Sequence, residues 1–125
     1  MLKDNRYYQR TLVSVPAILH EKESNREISC MVRDVSETGI CFEVPVRERN
    51  VSSLSEGGSL HFQFIDTYQY GKEVETDVLS NDGRIRYMRL YDDVLRVGCY
   101  VTGDDFQKYA VRREVVRGYN RTATA

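Results

Sequence analysis

The chain has 125 residues, in which 18 lysines and arginines nearly balance 19 aspartates and glutamates. This length suffices for one hydrophobic core, and the balanced charge excludes the positive excess by which nucleic-acid binders attract phosphate backbones. We therefore expect one domain and no nucleic-acid polymer as partner. No stretch is apolar enough to span a membrane, and residues 1–10 lack the features of a secretion signal, so we expect a cytoplasmic location and no membrane span.

The three cysteines, Cys30, Cys41 and Cys99, are widely spaced and set among apolar residues. This setting is typical of reduced thiols in a core, so we expect neither a disulfide nor a zinc site. His20 and His61 have no further ligand at metal-binding spacing, and no catalytic motif is present. We therefore expect no metal, no cofactor and no enzymatic activity.

Short segments of alternating polar and apolar residues, separated by turn-forming residues, predict a β-rich chain. Pro16 argues against a helix in the first segment, and the Asp82-Gly83 step favours a hairpin turn over residues 80–83. The predicted strands cover residues 11–20, 28–33, 40–44, 60–64, 73–79, 84–90 and 95–102. Because no long helix separates them, the sheet is expected to be antiparallel and to curl into a barrel over residues 11–103.

A helix is predicted only near the end of the chain. Asp104 or Asp105 can cap it and Gly118 can end it, so we expect a helix over residues 104–118 and a tail over residues 119–125. Its arginines are interpreted as a solvated face, because cations are favoured near a helix C-terminus.

The polar segment before the first strand carries two arginines, Arg6 and Arg10, four positions apart. Two planar, permanently charged guanidinium groups suit a phosphate diester or the O6 and N7 edge of guanine. Arginines at this spacing also occur in solvated turns, so the pair alone indicates no ligand.

A second motif, Asp34-x-Ser36-x-x-Gly39, occupies the predicted loop between the second and third strands. One interpretation is an ordinary turn, in which the Asp and Ser side chains bond to nearby backbone groups and the glycine adopts positive φ. The other is a binding loop. In that case Asp34 accepts hydrogen bonds from N1 and N2 of guanine, Ser36 bonds to a phosphate or base edge, and Gly39 lets the backbone approach the ligand.

Together the two motifs resemble those of the PilZ domain family, whose members carry R-x-x-x-R ahead of the first strand and D/N-x-S-x-x-G a few tens of residues later. Arg10 and Asp34 stand 24 positions apart here, and both motifs match fully. The resemblance extends to residues 57–60, where the family has a glycine that opens a strand, and to residues 96–101, which are similar to its late G-V-x-F-like strand. Within that late strand, Cys99 departs from the commoner pattern.

The resemblance implies a six-stranded antiparallel β-barrel with a C-terminal α-helix, acting as a receptor for the bacterial second messenger cyclic di-GMP. In such domains the arginines, here Arg6 and Arg10, grip phosphate and guanine. The second motif, here Asp34, Ser36 and Gly39, holds the other side of the base from the barrel surface.

The N-terminal segment, residues 1–10, suggests how binding is signalled. It has little to bury, so without ligand it is expected to be mobile, and a doubly anionic ligand would hold it against the barrel. The folded segment, with Tyr7 and Tyr8, would alter a surface that a separate, unidentified partner protein reads. Asn5 stands where the family often has a further arginine associated with a stacked ligand dimer, which argues against a two-ligand mode.

Two alternatives come from other functional classes. A small barrel could bind single-stranded nucleic acid by stacking bases on tyrosines, for which the candidates are Tyr68, Tyr70, Tyr87 and Tyr91. A PilZ-like domain could also serve as a protein-interaction module that binds no nucleotide. Degenerate members of the family usually lack the arginines or the Asp-Ser pair, and both are present here.

Overall fold

The computed structural model describes the backbone of residues 10–123 and the side chains of residues 10–116. Arg6, Tyr7 and Tyr8, and with them the expectation for the N-terminal segment, lie outside the described residues. The elements in chain order are β1 (Thr11–Glu21), β2 (Arg26–Ser36), β3 (Gly39–Pro45), a 3-10 turn (Val51–Ser53), β4 (Ser59–Tyr70), β5 (Glu73–Tyr91), β6 (Val94–Val101) and α1 (Asp104–Ala123).

The six strands form one antiparallel sheet that closes on itself in the order β1-β2-β3-β6-β5-β4. β1 completes the ring because it pairs on both sides, with Ala17 opposite Cys30 of β2 and Phe64 of β4. Each strand therefore has a neighbour on both sides over at least part of its length, which satisfies backbone groups that an open sheet would leave at its edges. The predicted mainly β, antiparallel fold with a C-terminal helix is confirmed.

Alternate side chains of each strand fill the interior of this closed sheet. Phe42 and Phe62 are fully buried, and their rings meet edge to face with centroids 5.4 Å apart. The ring of Phe106 in α1 meets the Phe62 ring edge to face, with centroids 6.0 Å apart, so the helix packs on the same core. The other fully buried aliphatic residues include Leu19, Ile28, Val32, Ile40, Leu60 and Val97.

The predicted hairpin at residues 80–83 was wrong. β5 runs through this segment without a break, and its pairing with β4 continues across it. The chain reverses instead at Gly71, whose φ of 65° lies in the left-handed region that glycine adopts at little cost. Asp82 pairs with His61 of β4, and its carboxylate binds Lys22 and His61 on the outer face. The seven predicted segments therefore form six strands.

α1 continues past Gly118, where the sequence predicted its end, and reaches Ala123. A glycine inside a helix costs about 1 kcal/mol relative to alanine, which need not end the helix. The expected tail over residues 119–125 is thus helical through residue 123, and residues 124 and 125 lie outside the described range.

Three side chains fix α1 to the β4–β5 hairpin. The Tyr109 hydroxyl donates to Oδ2 of Asp66 at 2.8 Å, and Nε of Arg113 lies 3.0 Å from the same oxygen. Arg112 donates to Oδ1 of Asp77 at 2.6 Å. The expectation that the helix arginines form a solvated face was wrong for this pair, because acidic residues of the hairpin lie directly beneath them.

Candidate functional site

Two irregularities in strand pairing turn a row of side chains to the outside of the closed sheet. The register of β2 against β3 shifts directly before Asp34, which lies opposite Cys41. The register of β5 against β6 shifts directly before Tyr87, which lies opposite Gly98. Cys41 and Gly98 are themselves paired across β3 and β6. The two bulges therefore align Asp34, Cys41, Gly98 and Tyr87 in one outer row across four strands.

Gly98 allows the Tyr87 ring to lie across this row. A Cβ atom at Gly98 would be 2.1 Å from Cε2 of Tyr87 and 2.4 Å from Cζ, far inside van der Waals contact. The Tyr87 hydroxyl donates to Sγ of Cys41 at 3.8 Å. Burial raises the pKa of Tyr87, and burial together with the charge of Asp34 raises the pKa of Cys41, so both groups stay protonated at neutral pH.

Asp34 brings the two sequence motifs into contact. The residue is only 1% exposed, and its carboxylate accepts from two arginines, Oδ1 from Arg10 at 2.8 Å and Oδ2 from Arg33 at 2.5 Å. Arg10 reaches it because Leu12, two residues further along β1, pairs with Asp34. The structure thus places the second arginine of R-x-x-x-R in contact with the aspartate of D-x-S-x-x-G.

A second row of charged side chains borders the first. Glu43 lies opposite Arg96, with its carboxylate 3.1 Å from Nε of Arg96 and 3.7 Å from Nε of Arg33. The Arg96 guanidinium also stacks over the Tyr91 ring at 4.3 Å. Arg89 pairs with Arg96 across β5 and β6. Cations and aromatic rings therefore alternate on this part of the sheet.

These side chains line an open pocket of about 280 Å³. Its lining consists of Arg10, Arg33, Asp34, Cys41, Tyr87, Arg89, Tyr91 and Arg96. Counted over the described residues alone, the four arginines and the carboxylates of Asp34 and Glu43 give a local net charge of 4 − 2 = +2. Such a pocket can attract a dianion, donate planar pairs of hydrogen bonds and stack a flat ring.

Ser36 and Gly39 flank the tight turn between β2 and β3, and neither lines this pocket. The turn is shorter than the predicted loop, because β2 continues through Ser36. Gly39 does not use the positive φ that a turn interpretation allows. Glycine suits this position because an added Cβ would come 3.1 Å from the carbonyl oxygen of Cys99. The two residues therefore fix the turn that ends the Asp34 strand.

The sequence analysis missed most of the pocket's cations, because they come from distant strands. Arg33, Arg89 and Arg96 belong to no compact motif, and only the sheet register brings them together. One local signal was present, since Tyr87, Arg89 and Tyr91 alternate along β5 and alternate residues of a strand share a face.

The four tyrosines suggested as a stacking surface do not share one face. Tyr87 and Tyr91 line the pocket, whereas Tyr68 is buried against α1, where it donates to Asp77 and accepts from Arg112 at 3.2 Å. Burial raises the pKa of Tyr68 to about 12. Only two of the four tyrosines, Tyr87 and Tyr91, therefore line this pocket.

The remaining candidate groups have structural surroundings. All three cysteines are buried and free, as core thiols are expected to be, although Cys41 faces the pocket. His61 bonds to Asp82 at 2.8 Å and Ser80 at 2.7 Å. Within the described part of the chain, no three His, Cys, Asp or Glu side chains are grouped to hold a metal ion. In that same part, no helix has the length and apolarity needed to cross a membrane.

Solved structures that resemble the chain share its fold at low sequence identity. The PilZ domain of Escherichia coli YcgR with c-di-GMP aligns with a TM-score of 0.64 at 15% identity, covering 96% of this chain and 95% of that one. The K. pneumonia MrkH–c-di-GMP complex aligns with a TM-score of 0.67 at 10% identity, covering 97% of this chain and 57% of that one.

The match to Bacillus subtilis inhibitor of motility (MotI/DgrA) has a TM-score of 0.62 at 16% identity and covers 90% of this chain and 53% of that one. The chain therefore spans about half the length of this relative. A search of curated protein sequences finds no significant match. A family model described as the PilZ domain matches residues 4–124, nearly the whole sequence, and the chain belongs to the PilZ domain family, whose members are binding and effector proteins.

Proposed function

We propose that this PilZ domain is a cyclic di-GMP receptor that binds its ligand on the outer face of β2, β3, β5 and β6. The observation that carries the proposal is the contact of Arg10 with Asp34 at the rim of a pocket with net charge +2. Cyclic di-GMP has two phosphodiester charges and two guanines, so its charge and hydrogen-bonding groups match the pocket. YcgR and MrkH, which share the fold, have been solved with c-di-GMP.

Each motif residue has a proposed role. Asp34 accepts from N1 and N2 of one guanine, and Arg10 donates to phosphate or to O6 and N7. Arg6, which lies outside the described residues, acts as a second such donor. Ser36 bonds to a phosphate or base edge, and Gly39 lets the turn backbone approach the ligand.

Binding requires an exchange of partners at Asp34. Both carboxylate oxygens already accept from guanidinium groups of Arg10 and Arg33. A guanine that donates two hydrogen bonds to this carboxylate must displace at least one guanidinium, and a nearby phosphate gives the displaced cation a new partner. The exchange keeps charges paired throughout, which lowers the cost of opening a buried ion pair. Tyr87 and Tyr91 provide the flat surfaces for stacking beside it.

The response to the ligand is a change in the N-terminal segment. Arg6 and Arg10 belong to this segment, so a ligand that holds them also fixes the chain that carries them. The altered surface is read by a separate partner protein in the bacterial cytoplasm.

Isothermal titration calorimetry with cyclic di-GMP tests the proposal, with GMP as a control ligand. Arg10→Ala and Asp34→Ala should weaken binding roughly 10- to 100-fold, because each removes charge-assisted hydrogen bonds to the ligand. Arg26→Ala is the matched control, since Arg26 is an exposed arginine at the opposite end of β2. It should bind like the parent chain.

Folding of every variant is checked by circular dichroism before titration. Binding lost in both site variants and kept in the control supports the receptor. No heat with cyclic di-GMP from folded protein would overturn it and favour the alternative, a PilZ-like module that interacts with proteins but binds no nucleotide.

A further inference from the structure

Two of the motif residues, Ser36 and Gly39, lie outside the pocket at Asp34, and the sheet register shows what lies beside them. Ser36 pairs with Gly39 across β2 and β3. Gly39 pairs with Tyr100 of β6, which in turn pairs with Arg84 of β5. We call these four residues the Ser36 row. Because Ser36 is two residues from Asp34 on the same strand, this row lies about 7 Å from the row that contains Asp34.

The bulge in β5 adds an arginine to the Ser36 row. The register shifts between Ile85 and Tyr87, and Arg86 is the extra residue. Its guanidinium carbon lies over the Tyr100 ring, 4.0 Å from the ring centroid. Both side chains are exposed, that of Tyr100 to 48%. A ligand in solvent can therefore reach the guanidinium of Arg86 while the tyrosine ring supports it from below.

The arginines of this region differ from those of the pocket in their pairing. Three pocket arginines form ion pairs with the carboxylates of Asp34 or Glu43. Among residues 10–116, whose side chains the structure describes, no carboxylate forms an ion pair with Arg84 or Arg86. An anion that binds Arg86 therefore does not have to displace a carboxylate of these residues.

The pocket at Asp34 is too small for a whole cyclic dinucleotide. Its volume is about 280 Å³, whereas sites for drug-sized ligands are roughly 300–1,000 Å³. Cyclic di-GMP has two guanines, and its two phosphodiesters lie on opposite sides of the ring that joins them. Part of this ligand therefore lies outside the pocket when one of its guanines is bound at Asp34.

We propose that this outer part of cyclic di-GMP lies over the Ser36 row, where Arg86 binds the second phosphodiester. The inference rests on the proposed function and adds a subsite to it. The planar guanidinium fork of Arg86 matches the two free oxygens of a phosphodiester. Gly39 carries no side chain, so a ligand that lies along the row meets only backbone at this position of β3.

Tyr100 acts as a positioning residue in this subsite. Its ring holds the guanidinium plane of Arg86 by a cation–π contact, which is worth about 0.5–1 kcal/mol at an exposed position. The ring therefore contributes to binding through the orientation of Arg86, and its effect should depend on the presence of that arginine.

Isothermal titration calorimetry of the full chain with cyclic di-GMP tests the role of Arg86. Arg86→Ala should raise the dissociation constant roughly 10- to 100-fold, because it removes charge-assisted hydrogen bonds to the phosphodiester. Arg86→Lys should recover only part of the affinity, since lysine keeps the charge but not the planar fork. Arg26→Ala removes an exposed arginine from the far end of β2 and should bind like the parent chain.

A double-mutant cycle tests the role of Tyr100. Tyr100→Ala should raise the dissociation constant roughly 2- to 5-fold, whereas Tyr100→Phe keeps the ring and should bind like the parent chain. In the Arg86→Ala background, Tyr100→Ala should cause no further loss. Circular dichroism checks that all variants are folded.

Weaker binding in Arg86→Ala, with Arg26→Ala unchanged and no added effect of Tyr100→Ala, supports the subsite. Unchanged binding in Arg86→Ala would overturn the subsite while leaving the receptor intact, because Asp34→Ala tests the receptor separately. An equal loss from Tyr100→Ala with and without Arg86 would overturn the positioning role. A folded parent chain that binds no cyclic di-GMP would overturn the proposed function and this subsite together.

Discussion

Asp34 is a buried carboxylate held by two arginines. It lies on the outside of the sheet, yet Arg10 and Arg33 cover it almost completely. The two sequence motifs identified Arg10 and Asp34, because each residue belongs to a compact spacing pattern. It could not identify Arg33 as the second cation, since that contact depends on the bulge that turns Asp34 outward.

Gly98 provides a test of the pocket floor. Gly98→Ala places a methyl group where the Tyr87 ring lies, so the ring must leave its position over β6. Overpacking of this kind costs about 1–3 kcal/mol of stability. The displaced ring also uncovers Cys41, so we predict faster alkylation of Cys41, measured by mass spectrometry, with core residues Cys30 and Cys99 as internal controls.

The double variant Tyr87→Ala/Gly98→Ala separates the steric effect from any other effect of the glycine. If the clash is the cause, adding Gly98→Ala to Tyr87→Ala should cost little stability in urea unfolding. An equal cost of Gly98→Ala with and without the tyrosine ring would contradict this account.

At the scale of elements, the alternation of polar and apolar residues predicted that the strands exist better than it predicted where each one begins and ends. The segments around Phe42 and Phe62 alternate clearly, and both side chains are in the core. The Asp82-Gly83 step led to the wrong prediction of a hairpin turn, because continued pairing of β5 with β4 outweighs the local turn preference of these two residues. Only the register of the whole sheet decides between these outcomes.

The attachment of α1 also depended on contacts between distant segments. Phe106 and Tyr109 are buried, but nothing local in the sequence paired Arg113 with Asp66, which is 47 residues away. From the sequence alone, it was reasonable to expect these arginines to face solvent. The structure overturns it because the β4–β5 hairpin extends beneath the helix.

Asp66→Ala tests this attachment. The change leaves the Tyr109 hydroxyl and the Arg113 guanidinium without their buried partner, so it should lower the free energy of unfolding by about 3–5 kcal/mol. Asp82→Ala breaks an exposed ion pair with Lys22 and should cost about 0–1 kcal/mol. Urea unfolding of the two variants checks the difference, and similar losses in both would show that Asp66 does not anchor the helix.

At the scale of the whole molecule, charge is distributed unevenly. The chain carries a formal net charge of −1, while the pocket at Asp34 has a local charge of +2. Long-range attraction of anions is therefore weak, and selection of a dianion depends on groups in the pocket.

The most direct test of the central claim is to map backbone amide chemical shifts by NMR while cyclic di-GMP is added. The account predicts that the largest changes fall on the row formed by Asp34, Cys41, Gly98 and Tyr87, with small changes at Ile65 and Val78. No change at saturating ligand, or the largest changes at Ile65 and Val78, would contradict a cyclic di-GMP site on this row.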